Sequence, residues 1–245
     1  MARGSSVSDN GKKYLLWDFG NTIAQLKQSW AQLALEIVEP YASQETRSLE
    51  VVQAEFSKGF PWRKPEQSHT HIQNADEWWQ HLFFPMFRQV LVLLEVHESR
   101  FDDLSARFRQ ACLSPETWEV YSNVDPTLET LSSLGWTHVI VSNHVPELET
   151  LVERLGLRQH FERVFTSGII GFEKPNPKFF EFVLNRLDRA EQTWMIGDNH
   201  AHDIVGAAQF NIPGILIGDP RDGVQYACPD LDSVVNIVQN GVTCV

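Results

Sequence analysis

Short apolar runs and helical periods along this chain predict its main secondary-structure elements. Five runs predict strands, at residues 14–17, 138–141, 163–166, 194–196 and 215–217. Between the later runs, apolar side chains recur at helical spacing, first at Leu148, Leu151, Val152 and Leu155 and then at Phe180, Val183, Leu184 and Leu187. Pro177 after Asn176 marks the start of the second of these helices. Strands that alternate with helices predict an α/β fold, with a parallel sheet covered on both faces and a ligand site beyond the carboxyl ends of the strands.

Residues 26–116, which we call the helical insert, interrupt this alternation. Apolar residues recur at helical spacing between residues 30 and 37 and again between residues 49 and 56. A longer apolar and aromatic stretch covers residues 78–94, and Pro85 is expected to kink or split it. We therefore predict an α/β core from residues 1–25 and 117–245, with residues 1–12 as a disordered tail, and a second, helical domain between the two parts.

Charge and composition narrow the classes of partner. The 245 residues carry a formal net charge of −12, which repels nucleic acid and anionic membranes, so neither is expected as a partner. No apolar run approaches the roughly 18 residues of a membrane-spanning helix, and the polar amino terminus lacks the apolar segment of a signal peptide. The three cysteines are far apart, as is typical of reduced thiols. We expect a cytoplasmic protein, as a monomer or homodimer.

Polar residues follow the predicted strands where a parallel sheet places its ligand site. They are Asp18 after the first run, Ser142 and Asn143 after the second, Lys174 in the loop GFEKPNP, and Asp198 and Asp203 in the segment WMIGDNHAHD. Carboxylates together with a backbone carbonyl are the hard oxygen ligands that suit Mg²⁺. Such an ion neutralises both a carboxylate nucleophile and a phosphate, and a lysine and a hydroxyl add to the stabilisation. The set predicts a Mg²⁺-dependent hydrolase that acts on a phosphoryl group.

The order of these residues resembles that of a known superfamily. The motifs DxxxT, (S/T)N, a lysine before proline, and GDxxxxD occur in the order of the four motifs of the haloacid dehalogenase-like superfamily. The resemblance extends from about residue 14 to residue 217, and the helical insert is similar to a cap of the C1 type. It implies a Rossmann-like parallel-sheet core with an inserted helical cap, and a phosphatase that hydrolyses a small phosphorylated metabolite.

The resemblance also implies a role for each motif residue. Asp18 would be the nucleophile, forming an aspartyl-phosphate, and also a Mg²⁺ ligand. The Gly20 carbonyl, Asp198 and Asp203 would complete the metal site. The phosphate would be bound by Ser142, Asn143 and Lys174, with Lys174 bridging the phosphate and Asp18. Thr22 would orient the loop that carries Asp18.

Gly20 departs from the pattern of this superfamily. Most of its phosphatases have a second aspartate two residues after the nucleophile, which protonates the leaving oxygen and then activates water. Gly20 leaves several alternatives open: a substrate with a good leaving group, a proton donor elsewhere, another reaction, or a binding protein that has lost turnover. The other reactions are those of haloacid dehalogenases and of phosphonoacetaldehyde hydrolases, the latter with Lys58 or Lys64 as the Schiff-base lysine.

Histidines beside the motifs and polar residues of the insert are weaker candidates. His144, His200 and His202 could each supply the missing proton, with His144 preferred. The segment that contains Trp62, Arg63, Lys64, His69 and His71 could close over a substrate. The aromatic stripe that begins at residues 78 and 79 is expected to form the core of the insert instead.

Overall fold

The computed structural model describes residues 11–240, and its centre is a sheet of six parallel strands beside a two-stranded ribbon. The strands are β1 (Lys12–Trp17), β2 (Ala24–Leu26), β3 (Trp118–Val120), β4 (Trp136–Ser142), β5 (Phe161–Thr166), β6 (Ala190–Gly197), β7 (Gly214–Ile217) and β8 (Tyr226–Cys228). The order across the large sheet is β5-β4-β1-β6-β7-β8, and every neighbouring pair is parallel. The predicted α/β fold and its five predicted strands are confirmed.

The first strand begins earlier than the sequence predicts. Lys12, predicted to belong to a disordered tail, is the first residue of β1, so the prediction is wrong for this residue. Its amide donates to the Arg189 carbonyl at 3.0 Å, and its ammonium lies 2.8 Å from both the Glu162 and the Asp188 carboxylates. These contacts hold Lys12 in the sheet although it has no apolar signal. Of the rest of the predicted tail, Gly11 is described and lies directly before β1, and residues 1–10 lie outside the described residues.

The helical insert packs around an apolar core of its own. Its helices are α1 (Trp30–Val38), α2 (Leu49–Gly59), α3 (Ala75–Trp78), α4 (Phe84–Leu93) and α5 (Phe101–Cys112). The helical periods predicted at residues 30–37 and 49–56 are confirmed by α1 and α2. Trp78 and Trp79 are fully buried, and the rings of Phe83 and Phe108 stack with centroids 5.0 Å apart. The aromatic stripe is therefore core, as expected. Within residues 11–240, none of the helices has the length and apolar character needed to cross a membrane.

A π-helical turn, Trp79–Phe83, joins α3 to α4. Pro85 follows it in the first turn of α4. The Phe84 amide still donates to the Trp79 carbonyl, so the helix continues to the proline, whose missing N–H is accommodated next to the wider π-helical turn. The interruption predicted around Pro85 is confirmed, and it lies on the amino-terminal side of the proline.

The core helices cover both faces of the parallel sheet. They are α6 (Val124–Ser133), α7 (Leu148–Arg154), α8 (Ser167–Ile170), α9 (Pro177–Leu184), α10 (Gly206–Ala208) and α11 (Asp232–Asn240). Leu15 and Trp17 of β1 pack on one face with α6, α7 and α11, and Tyr14 and Leu16 pack on the other with α9 and α10. This alternation follows from the two-residue period of a strand. The predicted helix start is confirmed, since Asn176 caps α9 and Pro177 opens it.

The ribbon formed by β2 and β3 connects the two parts of the chain. Its strands are antiparallel, and Leu26 of β2 pairs with Trp118 of β3. One strand leads into the helical insert and the other leads out of it. The predicted boundaries of the insert lie at this ribbon, with Leu26 inside β2 and Glu116 two residues before β3.

A buried histidine lies beneath the sheet on the α6 side. The indole N–H of Trp17 donates to Nδ1 of His138 at 3.0 Å, and Nε2 of His138 lies 3.0 Å from the Leu128 carbonyl. An imidazole that accepts at Nδ1 and donates at Nε2 is neutral. Burial lowers the pKa of His138 from 6.5 to about 4. This histidine is a structural group and remains uncharged at neutral pH.

Candidate active site

Three neighbouring strands end at the same cavity. Asp18 directly follows β1, Ser142 is the last residue of β4, and Asp198 directly follows β6. Because β4 and β6 flank β1, these are the carboxyl ends of adjacent strands. The cavity has a volume of about 640 Å³, and it is lined by Asp18, Gly20, Ser142, Asn143, Lys174, Asp198 and Asp203. The structure thus brings together all the predicted site residues except Thr22.

Thr22 lies behind the cavity, in the turn after Asp18. The Phe19 carbonyl accepts from the amides of Thr22, Ile23 and Ala24 at 3.3, 2.9 and 3.1 Å, which closes this turn tightly. The Thr22 hydroxyl is buried and has no hydrogen-bond partner among residues 11–240. Thr22 therefore contributes to the turn through its backbone and packing, and its predicted role in orienting the loop has no hydroxyl contact to support it.

Three carboxylates converge at the floor of the cavity. One oxygen each from Asp18, Asp198 and Asp203 lies within 4.8 Å of the others. Asp203 has no exposed surface, and one of its oxygens accepts from the Asn199 amide at 3.0 Å. Asp203 lies on a π-helical segment, His200–Val205, that begins just beyond the end of β6. The spacing GDxxxxD therefore brings the Asp203 carboxylate close to that of Asp198.

Lys174 is buried between two of these carboxylates. Its ammonium donates to Asp18 at 2.9 Å, to Asp203 at 2.5 Å and to the Val141 carbonyl at 2.8 Å. An ammonium has three N–H donors, so each of them has an acceptor. The side chain is 1% exposed. Lys174 is therefore held in one place as the counter-charge of the acidic cluster.

Asn143 holds the backbone of Lys174. The Lys174 amide donates to the Asn143 side-chain oxygen at 2.6 Å, and the Asn143 amide group donates to the Lys174 carbonyl at 2.9 Å. The sequence predicted Asn143 as a phosphate ligand and did not predict this contact. The pair of hydrogen bonds makes Asn143 a positioning residue for the lysine loop and leaves one of its two amide hydrogens uncommitted.

The electrostatics of the site favour an added cation. Burial and the neighbouring Asp18 charge raise the pKa of Asp198 to about 6. The same two causes, opposed by Lys174, raise the pKa of Asp203. Burial alone would lower the pKa of Lys174, but the two carboxylates outweigh it and the pKa lies above its usual value. Three carboxylates facing one ammonium leave an excess of negative charge in a partly buried space.

The donor set fits a divalent cation of the Mg²⁺ type. Mg²⁺ takes oxygen ligands at about 2.0–2.1 Å in octahedral geometry, so two of its ligand oxygens lie about 3–4 Å apart. Oxygens of Asp18, Asp198 and Asp203 lie within 4.8 Å of one another, which is close to that spacing. They are all hard carboxylate donors, with no sulfur or imidazole among them. Gly20 lines the same cavity and can offer its carbonyl from the Asp18 loop.

The loop after Asp18 is open where a second acid could stand. A Cβ atom added to Gly20 would meet no other atom within 4 Å. The next residue, Asn21, has a positive φ of 57°, and its side-chain amide donates to an Asp198 oxygen at 3.4 Å. The sequence did not predict this contact. The residue type could have indicated the tight turn, because asparagine tolerates the left-handed conformation better than most other residues with a side chain.

The three candidate histidines have different surroundings. The ring of His144 lies between Phe19 and Trp118, with centroids 5.6 and 5.5 Å away, and neither ring nitrogen has a hydrogen-bond partner among residues 11–240. Burial lowers its pKa from 6.5 to about 4. His202 also lines the cavity, and burial is the main cause that lowers its pKa. His200 does not line the cavity. His144 and His202 thus reach the site, as neutral imidazoles at neutral pH.

The helical insert forms the opposite wall of the cavity. Trp62 and Arg63 line it, together with a run of residues around the start of α1, namely Lys27, Gln28, Ser29, Trp30 and Gln32. Of the segment predicted to close over a substrate, only Trp62 and Arg63 are on this wall. Lys64, His69 and His71 line a separate pocket of about 280 Å³.

Comparisons with known proteins agree with this architecture. Haloacid dehalogenase-like hydrolase domain-containing protein 3 of Bos taurus is 28% identical over 223 residues, covering 85% of this chain and 83% of that protein. Glyceraldehyde 3-phosphate phosphatase of Methanothermobacter thermautotrophicus is 36% identical over 127 residues, or 49% of this chain and 56% of that protein. The crystal structure of a HAD phosphatase from Thermococcus onnurineus shares the fold, with a TM-score of 0.62 at 21% identity over 95% of this chain and all of that one.

A model of the haloacid dehalogenase-like hydrolase family matches residues 12–211. That range contains the whole acidic cluster, the lysine loop and the helical insert. The family resemblance expected from the motifs is confirmed, and the expectation of a hydrolase is confirmed with it. The chain belongs to the haloacid dehalogenase-like hydrolase family.

Proposed function

We propose that this chain is a Mg²⁺-dependent phosphatase that hydrolyses a small phosphorylated compound through an aspartyl-phosphate on Asp18. The observation that carries the proposal is the buried Lys174, which donates to Asp18 and Asp203 beside the carboxylate of Asp198. A similar protein is named glyceraldehyde 3-phosphate phosphatase, which supports a phosphate ester as the substrate.

Asp18, Asp198 and Asp203 would hold the metal ion, with the Gly20 carbonyl as a further ligand. When bound, Mg²⁺ supplies positive charge that offsets the repulsion between a carboxylate nucleophile and a phosphate. Lys174 orients Asp18 through a hydrogen bond of 2.9 Å and adds its own positive charge. Ser142, which ends β4 and lines the cavity, would donate its hydroxyl to a phosphoryl oxygen.

The reaction divides into two displacements at phosphorus. A carboxylate oxygen of Asp18 bonds to phosphorus, the bond to the leaving oxygen breaks, and that oxygen takes a proton from water in the cavity. A second water then attacks the phosphorus of the aspartyl-phosphate and gives a proton to the hydroxide left by the first step, the bond to Asp18 breaks, and inorganic phosphate leaves. Because Gly20 provides no acid, we expect substrates whose leaving oxygen is a weak base to react fastest.

The contacts of the other candidate lysines disfavour a phosphonoacetaldehyde hydrolase. Lys58 pairs with Glu55 at 3.2 Å and its side chain is 69% exposed. Lys64 lines the separate pocket of the insert. Neither lines the cavity that contains Asp18, so neither is available for a Schiff base there. The metal-binding pair Asp198 and Asp203, together with glycine in place of an aromatic residue at position 20, disfavours a dehalogenase.

Turnover of an aryl phosphate with and without Mg²⁺ tests the proposal. We expect hydrolysis that requires Mg²⁺ and disappears in Asp18→Asn, which keeps the shape of the side chain but replaces the nucleophilic carboxylate with a neutral amide. A wild-type protein that never turns over, with or without metal, would instead be a binding protein, and the proposal would fail.

Thermal unfolding gives a readout that does not depend on activity. A ligand present at about a hundred times its Kd stabilises the folded state by about 2.7 kcal/mol. We expect Mg²⁺ to raise the unfolding temperature of the wild type and to have no such effect on Asp203→Asn. Asp102→Asn, which alters an exposed carboxylate on α5, is the matched control and should retain the shift. An equal shift in all three proteins would contradict the proposed metal site.

A further inference from the structure

Arg63 is a cation without a partner in a strongly acidic protein. Among residues 11–240 it takes part in none of the ion pairs, side-chain hydrogen bonds or ring contacts. The other arginines of the helical insert each have one, namely Arg47 with Glu39, Arg88 with Asp102, Arg100 with the Tyr41 ring, Arg107 with Asp103, and Arg109 with Glu147. The guanidinium of Arg63 is therefore free to bind a ligand from outside the chain.

The backbone of Arg63 is fixed at the cavity wall. It ends a 3-10 turn, Pro61–Arg63, and its amide donates to the Phe60 carbonyl at 3.0 Å. The ring of the preceding residue, Trp62, stacks on Phe60 with centroids 4.4 Å apart, and Phe60 belongs to the core of the insert. Arg63 is exposed, and it lines the cavity from a packed turn rather than from a loose loop.

Arg63 faces the core across the cavity and is separate from the acidic cluster. Arg63 on the insert and His202 on the core both line this cavity. It forms no ion pair with Asp18, Asp198 or Asp203, although these carboxylates line the same cavity. The cluster is already neutralised in part by Lys174. Arg63 is thus a second positive site, displaced from the first.

The cavity has room for more than a phosphoryl group. Its volume of about 640 Å³ is within the range of sites that hold whole small molecules, about 300–1,000 Å³. Three tryptophans, Trp30, Trp62 and Trp118, line it together with polar side chains such as Lys27 and Gln28. Aromatic walls suit the carbon skeleton of a substrate that has a charge at each end.

We propose that Arg63 binds a second anionic group of the substrate, a carboxylate or a phosphate, while the scissile phosphoryl group lies at Asp18. The substrate class is then small phosphate monoesters with an anionic tail. A planar guanidinium donates two parallel hydrogen bonds to either kind of group, which an ammonium cannot do. This inference rests on the proposed phosphatase function for the position of the scissile group.

A substrate series tests the inference. Alkyl phosphates of increasing chain length, ending in a hydroxyl, a carboxylate or a second phosphate, are compared by kcat/KM at fixed Mg²⁺. At the length that spans the cavity, we expect the wild type to prefer an anionic tail to the hydroxyl about tenfold or more, since hydrogen bonds to charged groups have this strength. The carboxylate and phosphate arms identify which anion Arg63 prefers.

Variants separate the role of Arg63 from a general effect of charge. Arg63→Gln should lose the tenfold preference and Arg63→Lys should recover part of it. Lys64→Gln removes the same charge from the next residue, which lines the other pocket, and should keep the full preference. A wild type without preference, or equal loss in Arg63→Gln and Lys64→Gln, would overturn the inference. An equal fall of kcat in Arg63→Gln for every tail would also overturn it, because Arg63 would then act on the transferred phosphoryl group.

The Kd values of the corresponding phosphonates, measured by calorimetry, give a test that does not depend on turnover. If no phosphate ester is hydrolysed, the phosphatase proposal fails, while a tail preference in Kd that depends on Arg63 still supports the second anion site. If esters are hydrolysed without any tail preference, only the inference about Arg63 fails.

Discussion

Replacing Gly20 with aspartate introduces the carboxylic acid that most phosphatases of the superfamily carry two residues after the nucleophile. The backbone accepts a side chain here, because a Cβ atom on Gly20 would have no neighbour within 4 Å and the position has no positive φ. The new carboxyl group would lie in the cavity that Asp18 also lines. We expect Gly20→Asp to fold and to gain activity.

The size of the gain follows from what a general acid contributes. Proton transfer from a positioned side chain accelerates a reaction by about 10²–10⁴, which corresponds to roughly 3–5 kcal/mol in the barrier. The full gain applies only where the leaving oxygen is a strong base, as in an alkyl phosphate. An aryl leaving group departs without a proton, so its rate should rise much less. The three carboxylates already at the site should raise the pKa of the new acid and keep it protonated longer.

The assay compares kcat for alkyl and aryl phosphates in wild type, Gly20→Asp and Gly20→Asn. Asparagine has the size of aspartate but cannot transfer a proton, so it controls for shape. We expect the ratio of alkyl to aryl rates to rise only in Gly20→Asp, with a loss of the gain at high pH. If Gly20→Asn gains as much as Gly20→Asp, or if Gly20→Asp gains equally on both substrates, the reasoning about a missing acid is refuted.

Further predictions concern stability, measured by urea unfolding without Mg²⁺. The pKa of His138 falls from 6.5 to about 4 on folding, so acid favours the unfolded chain. From about pH 7 to about pH 5, the free energy of unfolding should therefore fall by about 2 kcal/mol more in the wild type than in His138→Gln. Equal falls in the two proteins would contradict this. Glu147 of the core pairs with Arg109 of the insert at 2.6 Å, so Glu147→Gln should lower the free energy of unfolding by about 1–3 kcal/mol. The exposed Glu149 pairs with Arg158, and Glu149→Gln should lower it by less than about 1 kcal/mol. Lys174→Met should cost about 3–5 kcal/mol by leaving buried carboxylates without a counter-charge, and unchanged stability would contradict that role.

The parts of the fold that the sequence predicted are those with a strong local signal. The long buried strands contain continuous apolar runs, and helices such as α7 and α9 have a clear period. The three-residue strands β2, β3 and β8 were missed, because such short segments become strands only through the partner beside them. Lys12 was missed for the same reason, since its place in β1 depends on acids distant in sequence.

The site was predicted where it depends on strand ends and fixed spacing. Asp18, Asp198 and Asp203 meet because parallel strands end at one edge and a single helical segment returns the third carboxylate. The hydrogen bonds between Asn143 and Lys174 were not predictable, because two loops must meet to form them. The position of Arg63 on the cavity wall likewise depends on how the insert packs. No local pattern in the sequence predicts that packing.

The ribbon of β2 and β3 allows the helical insert to be exchanged for another segment. Residues that face each other in an antiparallel pair have Cα atoms about 4.5–5.5 Å apart, so the chain leaves the core and returns to it at nearly the same point. Segments that start and end so close together are tolerated as insertions, because they impose no strain on the host. Inserts of different length and lining can therefore be exchanged at this junction during evolution or by design, while the strands that carry Asp18 and Asp198 keep their register.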